Sequence, residues 1–190
     1  MKTTFSALVT LLVTATALSA QDPNWVRMWN EAQKLKPARI SSIERIAPTT
    51  EPGIPLVVQG VITDPAGKPA AGVEVFAYHT DSTGLYSQPH AADPWRLKGW
   101  TVTDAQGRFE FRTIRPAPYP GRDIPAHIHL SFVTSCCGRQ WSEVMFDDDA
   151  LGTKEYRQRN PDVLWGKVAK NAYGSQETNY AFKLKSRGDF

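Results

Sequence analysis

Apolar and polar residues alternate in short runs over much of the chain, and turn-forming residues separate the runs. In "RFEFRT", Phe109, Phe111 and Thr113 share one side while Arg108, Glu110 and Arg112 share the other. That two-residue period belongs to a strand with one buried face. "LVVQGVIT" from Leu56, "VEVFAYH", "GWTVT", "HIHLSFVT", "QWSEVMF" and "YAFKLK" extend the series. β-branched and aromatic residues favour strands, and "DPAGKPAAG" and "DAQG" carry the Asp, Pro and Gly of tight turns. No helical pattern alternates with these runs. The chain is therefore expected to be all-β, an antiparallel β-sandwich and not a parallel sheet. Residues 147–178 are polar and mixed, and read as long loops with room for a short helical turn.

A helical period occurs near the start. "DPNWVRMWNEAQKLKP" puts Trp25, Met28, Trp29, Ala32 and Leu35 on one stripe, which reads as a packing face. Asp22 can cap this helix, Pro23 suits its first turn and Pro37 ends it. Pro37, Pro48, Pro52 and Pro55 make the next stretch a strap. Ahead of the helix, "MKTTFSALVTLLVTATALSA" has a basic Lys2, an apolar stretch and the small pair Ser19 and Ala20. That is the order of a secretory signal peptide. The stretch is short for a membrane span, and no basic stop-transfer run follows. Cleavage after Ala20 is expected, giving a secreted or periplasmic protein with no membrane attachment. The resulting division is a signal peptide at 1–20, a helix and Pro-rich strap at 21–55, and a β-sandwich at 56–190.

Composition narrows the partners. A formal charge of +3 is too small and too scattered to argue for nucleic acid. The two cysteines, Cys136 and Cys137, are neighbours. Export implies an oxidising compartment, but adjacent cysteines join only in a strained ring. Pairing between chains, free thiols and plain packing in a turn all stay open. A thiolate metal site needs more ligands than this pair offers.

Two of the four histidines stand one residue apart in "IPAHIHL". On a strand, Ile128, Leu130 and Phe132 take the core face, and His127, His129 and Ser131 take the other. Such a pair can converge on one ion, but two nitrogens leave the site incomplete. Where a cupin-like site would place a carboxylate, this chain has Val133 and Thr134. Glu143, Asp147, Asp148 and Asp149 could serve a zinc ion, but no zinc motif frames them. No nucleophile elbow, P-loop or dinucleotide turn is present. Two tyrosines are better placed. Tyr86 in "DSTGLYS" and Tyr119 in "RPAPYPGR" lie in loops at strand ends, where side chains can reach over a sheet face. Phenolate is a hard anionic donor suited to Fe(3+), and a highly charged cation removes the phenol proton despite its ordinary pKa of about 10.

The ordered set Tyr86, Tyr119, His127 and His129 resembles the intradiol ring-cleavage dioxygenases, the non-haem iron(III) enzymes that include protocatechuate 3,4-dioxygenase and catechol 1,2-dioxygenase. Its flanks "GVITDPAGKPAAGVEVFAYH", "LKGWTVTDAQGRFEFRTIRPAPYPGR" and "IPAHIHLSFV" carry the same likeness. "YPGR" before the histidines looks like a subgroup of short secreted relatives. The resemblance implies Tyr86 and His127 as equatorial metal ligands and Tyr119 and His129 as axial ones, with water or hydroxide in the fifth position. It also implies that a catechol displaces the hydroxide and Tyr119, which take its protons. With O2, the ring then opens between the two hydroxylated carbons to a muconate-type diacid. Two positions depart from the family pattern. The residue three before His127, an arginine in well-known members, is Ile124, and Arg122 is assigned its cationic role. A pocket glutamine is matched by Glu143, an acid that disfavours an anionic substrate.

His79 is read as structural or as supporting the ligands, and His90 as a surface residue. Tyr78, Trp95 and Trp100 suit an aromatic pocket wall or the core equally. Longer relatives carry a helical dimer region. Here one short helix makes a strap or a small interface, and a homo-oligomer stays open. Two alternatives compete with the enzyme. One is a non-catalytic binding module, since the glycine-aspartate turns also look like transthyretin-like and carboxypeptidase regulatory sandwiches. The other is a relative with the same metal site that is inactive or cleaves a larger polyphenol.

Overall fold

The structure is a computed structural model that describes residues 23–86 and 95–187. The expected signal peptide, Asp22 and His90 lie outside the described residues. Helix α1 (Pro23–Gln33) precedes β1 (Ile43–Arg45), β2 (Pro55–Thr63), β3 (Glu74–His79), β4 (Leu97–Val102) and β5 (Arg108–Ile114). Strands β6 (His127–Thr134) and β7 (Gly138–Phe146) form the next hairpin. Helix α2 (Lys154–Arg159), β8 (Leu164–Gly166), β9 (Val168–Lys170) and β10 (Gln176–Lys183) complete the order. Two five-stranded sheets result, ordered β1-β5-β2-β10-β9 and β4-β3-β6-β7-β8.

The inner faces follow the sequence period. Phe109, Phe111 and Thr113 of β5 are buried, as are Ile128, Leu130 and Phe132 of β6. Most of these pack with Val58, Ile62, Val75, Val144 and Phe182 in one core between the sheets. Gln140 closes one side of the sandwich. Its amide donates to the Lys185 carbonyl at 2.9 Å and accepts from the Lys185 N–H at 2.8 Å, as a neighbouring peptide group would.

The outer face of the second sheet is covered as well. Trp29 and Ala32 of α1 pack with Phe76, Tyr78, Trp95 and Trp100. The helix docks through polar groups four residues apart. Trp25 donates to the Tyr78 hydroxyl at 2.8 Å, Trp29 to the Ser131 hydroxyl at 3.3 Å, and Gln33 accepts from Trp100 at 3.1 Å. Buried indole N–H groups need such acceptors, so the aromatic stripe is also a hydrogen-bonding stripe. Leu35, expected on it, follows the last helical residue and is exposed.

Several pairings differ from a simple antiparallel sandwich. β1 on β5, β10 on β2, and β8 on β7 are parallel. A tight turn forces an antiparallel neighbour, whereas a long connection lets a strand return from the other end. β1 shows that part of the proline-rich strap is a sheet edge. The stretch read as long loops holds α2, β8 and β9. Three-residue strands are too short to show a period. No helix among the described residues is long and apolar enough to cross a membrane.

Candidate metal centre

Three pieces of chain bring four donor atoms together. The first is β6, whose outward side chains are His127 and His129. Its start is pinned where Asp149 accepts from the Ala126 N–H at 2.9 Å. The second is the loop after β3, which carries Tyr86. Asp81 shapes it by accepting from the N–H groups of Thr83 (2.8 Å) and Leu85 (3.2 Å). The third is the loop after β5, where Pro118 and Pro120 flank Tyr119. The Thr80 hydroxyl and the Asp81 carbonyl bind the Ala117 carbonyl (2.7 Å) and N–H (3.0 Å), tying the tyrosine loops together. Gly84 completes the fit. Its φ of +84° suits glycine, and a Cβ there would collide with the Pro118 carbonyl. Close approach at Gly84 is what lets Tyr86 reach Tyr119.

The Tyr86 and Tyr119 hydroxyls touch. Tyr86 Oη lies 2.9 Å from His129 Nε2, and Tyr119 Oη lies 3.0 Å from His127 Nε2 and 3.2 Å from His129 Nε2. The two Nε2 atoms are 3.1 Å apart. The partners on the far side of each ring set its tautomer. His127 Nδ1 faces the Pro125 carbonyl at 2.8 Å, and His129 Nδ1 faces a Glu143 carboxylate oxygen at 3.2 Å. A carbonyl and a carboxylate only accept, so both Nδ1 atoms carry the proton. In its neutral form, each imidazole so held turns a bare Nε2 lone pair toward the other. Two phenolic protons are left to serve five close contacts. Two bare nitrogens and two ionisable oxygens converging on one point fit a cation, and a hard trivalent one suits the phenolic half.

Burial reinforces this. It lowers the His127 pKa, and the nearby His129 lowers it further, which favours an unprotonated nitrogen able to bind a cation. Burial also raises the Tyr86 pKa, and the neighbouring Tyr119 adds to the shift. Tyr119 is raised too, chiefly by burial, while Arg122 pulls in the opposite direction. Phenolates form here only if a positive charge takes the place of their protons. Burial is the largest influence on the Glu143 carboxyl and would raise it, but the bond from His129 and the charge interactions with His129 and His127 together more than offset it, and the net shift is downward.

His127, His129 and Glu143 form a second possible donor group, with ligand atoms within 4.8 Å of one another. Glu143 meets His129 at Nδ1, across the ring from the nitrogen that faces the tyrosines. It thus supports His129 from behind. A cleft of about 900 Å³ opens beside His129, with Trp25, Tyr78, Trp141, Glu143, Asp162 and Val163 among its walls. It continues around the edge of β7, and Tyr86, Tyr119 and His127 are not in its lining. Arg122 sits exposed on the turn after Tyr119, and its N–H donates to the Tyr119 carbonyl at 3.2 Å. Ile124 is half-buried.

Tyr78 combines the two roles left open for it. Its ring stacks on His129 (centroids 4.5 Å apart) and on Trp95 (3.9 Å). Trp100 packs in the aromatic cluster. His79 is structural: fully buried, it joins the Thr80 carbonyl and the Thr113 hydroxyl, each at 2.7 Å. Cys136 and Cys137 are bonded to each other in the β6–β7 turn. Sequence reasoning missed the Trp25 contact and the direct bond from Glu143 to a histidine. The alternation in "QWSEVMF", with Val144 inward and Trp141 and Glu143 outward, was the available signal for the second.

Two tyrosines and two histidines thus converge above one sheet of the sandwich, and the chain is similar to known dioxygenases. The family model described as "Dioxygenase" matches residues 36–188. Catechol 1,2-dioxygenase 1 of Acinetobacter lwoffii is 34% identical over 143 residues, covering 61% of this chain and 45% of that protein. Chlorocatechol 1,2-dioxygenase of Pseudomonas sp. strain P51 is 41% identical over 66 residues, covering 34% of this chain and 26% of that protein. The chain thus spans less than half the length of these relatives. Among solved structures, the dioxygenase domain of a dioxygenase carbohydrate-binding protein fusion from Streptomyces sp. SirexAA-E is 25% identical with a TM-score of 0.60. That match covers 77% of this chain and 91% of the other. Catechol 1,2-dioxygenase from Pseudomonas arvilla C-1 shares the fold at 20% identity, with a TM-score of 0.64 and coverage of 86% and 68%. The chain belongs to the intradiol ring-cleavage dioxygenase family.

Proposed function

We propose that this protein is a secreted iron(III) intradiol dioxygenase that cleaves a catechol-type aromatic diol between its two hydroxylated carbons, adding both atoms of O2 to give a muconate-type diacid. One observation carries the reading: the Nε2 atoms of His127 and His129 face each other at 3.1 Å, with an acceptor oxygen, of Pro125 and Glu143 respectively, at the Nδ1 of each ring. Tyr86, Tyr119, His127 and His129 would hold the iron. Iron(III) held there would supply acidity toward the two diol oxygens and the electron chemistry of the reaction with O2.

The remaining work belongs to the chain. Tyr119, on the proline-flanked loop, would take the proton from one substrate hydroxyl on its phenolate oxygen, and the second proton would pass to solvent. Tyr86 and the two histidines stay in place. Arg122 lies near enough to bear on the charge of Tyr119 and is assigned to steady negative charge during the reaction. Glu143 lines the cleft, so neutral catechols are favoured over those carrying a carboxylate. Support for export is the basic, apolar and small-residue order of the first twenty residues.

The test uses the protein loaded with iron under air. Iron(III)-tyrosinate absorbs visible light, and adding catechol should shift that band and start O2 uptake. Catechol, protocatechuate, hydroxyquinol and larger diols would be compared. A colourless, iron-free protein after reconstitution would refute the ligand assignment. A coloured protein that consumes no O2 with any diol would leave the metal site and remove the activity.

A further inference from the structure

His127 and His129 lie on the same strand and the same face, yet their rings are held differently. The Nδ1–H of His127 meets a neutral group of its own chain two residues back, the Pro125 carbonyl at 2.8 Å. The Nδ1–H of His129 meets the Glu143 carboxylate at 3.2 Å. Glu143 comes from the neighbouring strand, at the position directly across from His129 in the β6–β7 register. On the other side, β3 places Tyr78 directly across from His129, with the two rings stacked 12° from parallel. The His129 ring is thus set from both adjacent strands, and one of the two groups is an anion.

We infer that Glu143 is a positioning residue that makes His129 the stronger electron donor of the two histidines. This rests on the iron reading above. Hydrogen bonds to an ionised acceptor are roughly twice as strong as those between neutral groups. The carboxylate draws the Nδ1 proton toward itself, and the ring passes the gained electron density to Nε2. The side chains of His129 and Glu143 are only 16% and 26% exposed, so water does little to screen the pair. Glu143 therefore fixes the tautomer that points a bare Nε2 at the tyrosines, and adds a negative charge behind the ligand. Carboxylates placed behind metal-bound histidines act in this way elsewhere, and losing one typically costs about 10- to 100-fold in metal affinity or activity. The ligand pair is graded: His129 is held by charge and stacking, His127 by a neutral carbonyl.

Glu143→Gln tests this, because it keeps the size and one acceptor oxygen and removes the charge. In the iron-loaded variant, the tyrosinate-to-iron band should move to longer wavelength and the Fe(III)/Fe(II) midpoint potential should become more positive. Iron affinity should fall about tenfold or more. A merely structural role would leave band and potential in place. In the metal-free wild type, nitrogen NMR of the imidazoles should show His129 protonated at Nδ1, a readout that needs no variant. A wild type that holds coloured iron beside a Gln variant with the same band, potential and affinity would overturn this inference and leave the iron reading standing. His129 protonated at Nε2 in the metal-free wild type would also overturn it. A wild type that takes up no iron overturns both.

Discussion

His79 couples the stability of the scaffold under the site to pH. It sits fully buried between β3 and β5, donating from Nδ1 to the Thr80 carbonyl and accepting at Nε2 from the Thr113 hydroxyl. Burial is the main cause that lowers its pKa from 6.5 to about 4. The unfolded chain takes up a proton as the pH falls through 6.5, and the folded chain refuses it until about 4. Stability from this group is complete above the unfolded pKa and declines as the pH drops. The slope is about 1.4 kcal/mol per pH unit, and the shift corresponds to about 3 kcal/mol once the pH reaches the folded value. Urea unfolding of the wild type and His79→Gln at several pH values across that window checks this. Gln cannot titrate, and contributions from His127 and the carboxylates cancel in the difference. The wild type's stability relative to the variant should fall by about 3 kcal/mol from the top to the bottom of the window. A difference that stays constant with pH would refute the assignment of a buried neutral histidine.

Other perturbations bear on how the loops and sheets meet. Gly84→Ala forces a side chain into the left-handed region at φ +84° and against the Pro118 carbonyl. It should cost about 1–2 kcal/mol from the backbone alone and weaken iron uptake by parting Tyr86 from Tyr119, read by thermal unfolding and visible absorption. Unchanged values in both would show that the tyrosine loops do not depend on this contact. Gln140→Ala removes the two bonds to the Lys185 backbone and should cost about 1–2 kcal/mol in urea unfolding, with the iron band unmoved. A bleached band would mean that this edge of the sandwich supports the metal site after all.

How much of this was legible beforehand depends on the range over which each feature is specified. The sidedness of β5 and β6 is a matter of neighbouring residues. A strand turns alternate side chains to opposite faces wherever it lies, so "RFEFRT" and "HIHLSFVT" declare their inner residues on their own. That sidedness also put His127 and His129 side by side, on the face away from the core. Donor chemistry then made the two loop tyrosines their natural complement, in the order the family shares. The helical stripe at Trp25, Trp29 and Ala32 could be read in the same local way.

What the local pattern could not say is which residues face one another across long stretches of chain. Glu143 serves His129 only because the β6–β7 hairpin sets their register, and Tyr78 stacks there only because β3 lies on the other side. Tyr86 and Tyr119 meet because a glycine with no Cβ lets two loops close on each other. The parallel return of β10 beside β2, and the cover that α1 lays over the histidine sheet, likewise come from pairing distant segments. Period and residue chemistry thus named the metal-binding candidates in one dimension. Chain closure decided which of their atoms converge, which nitrogen of each histidine is left bare, and which of the two is held by a charge.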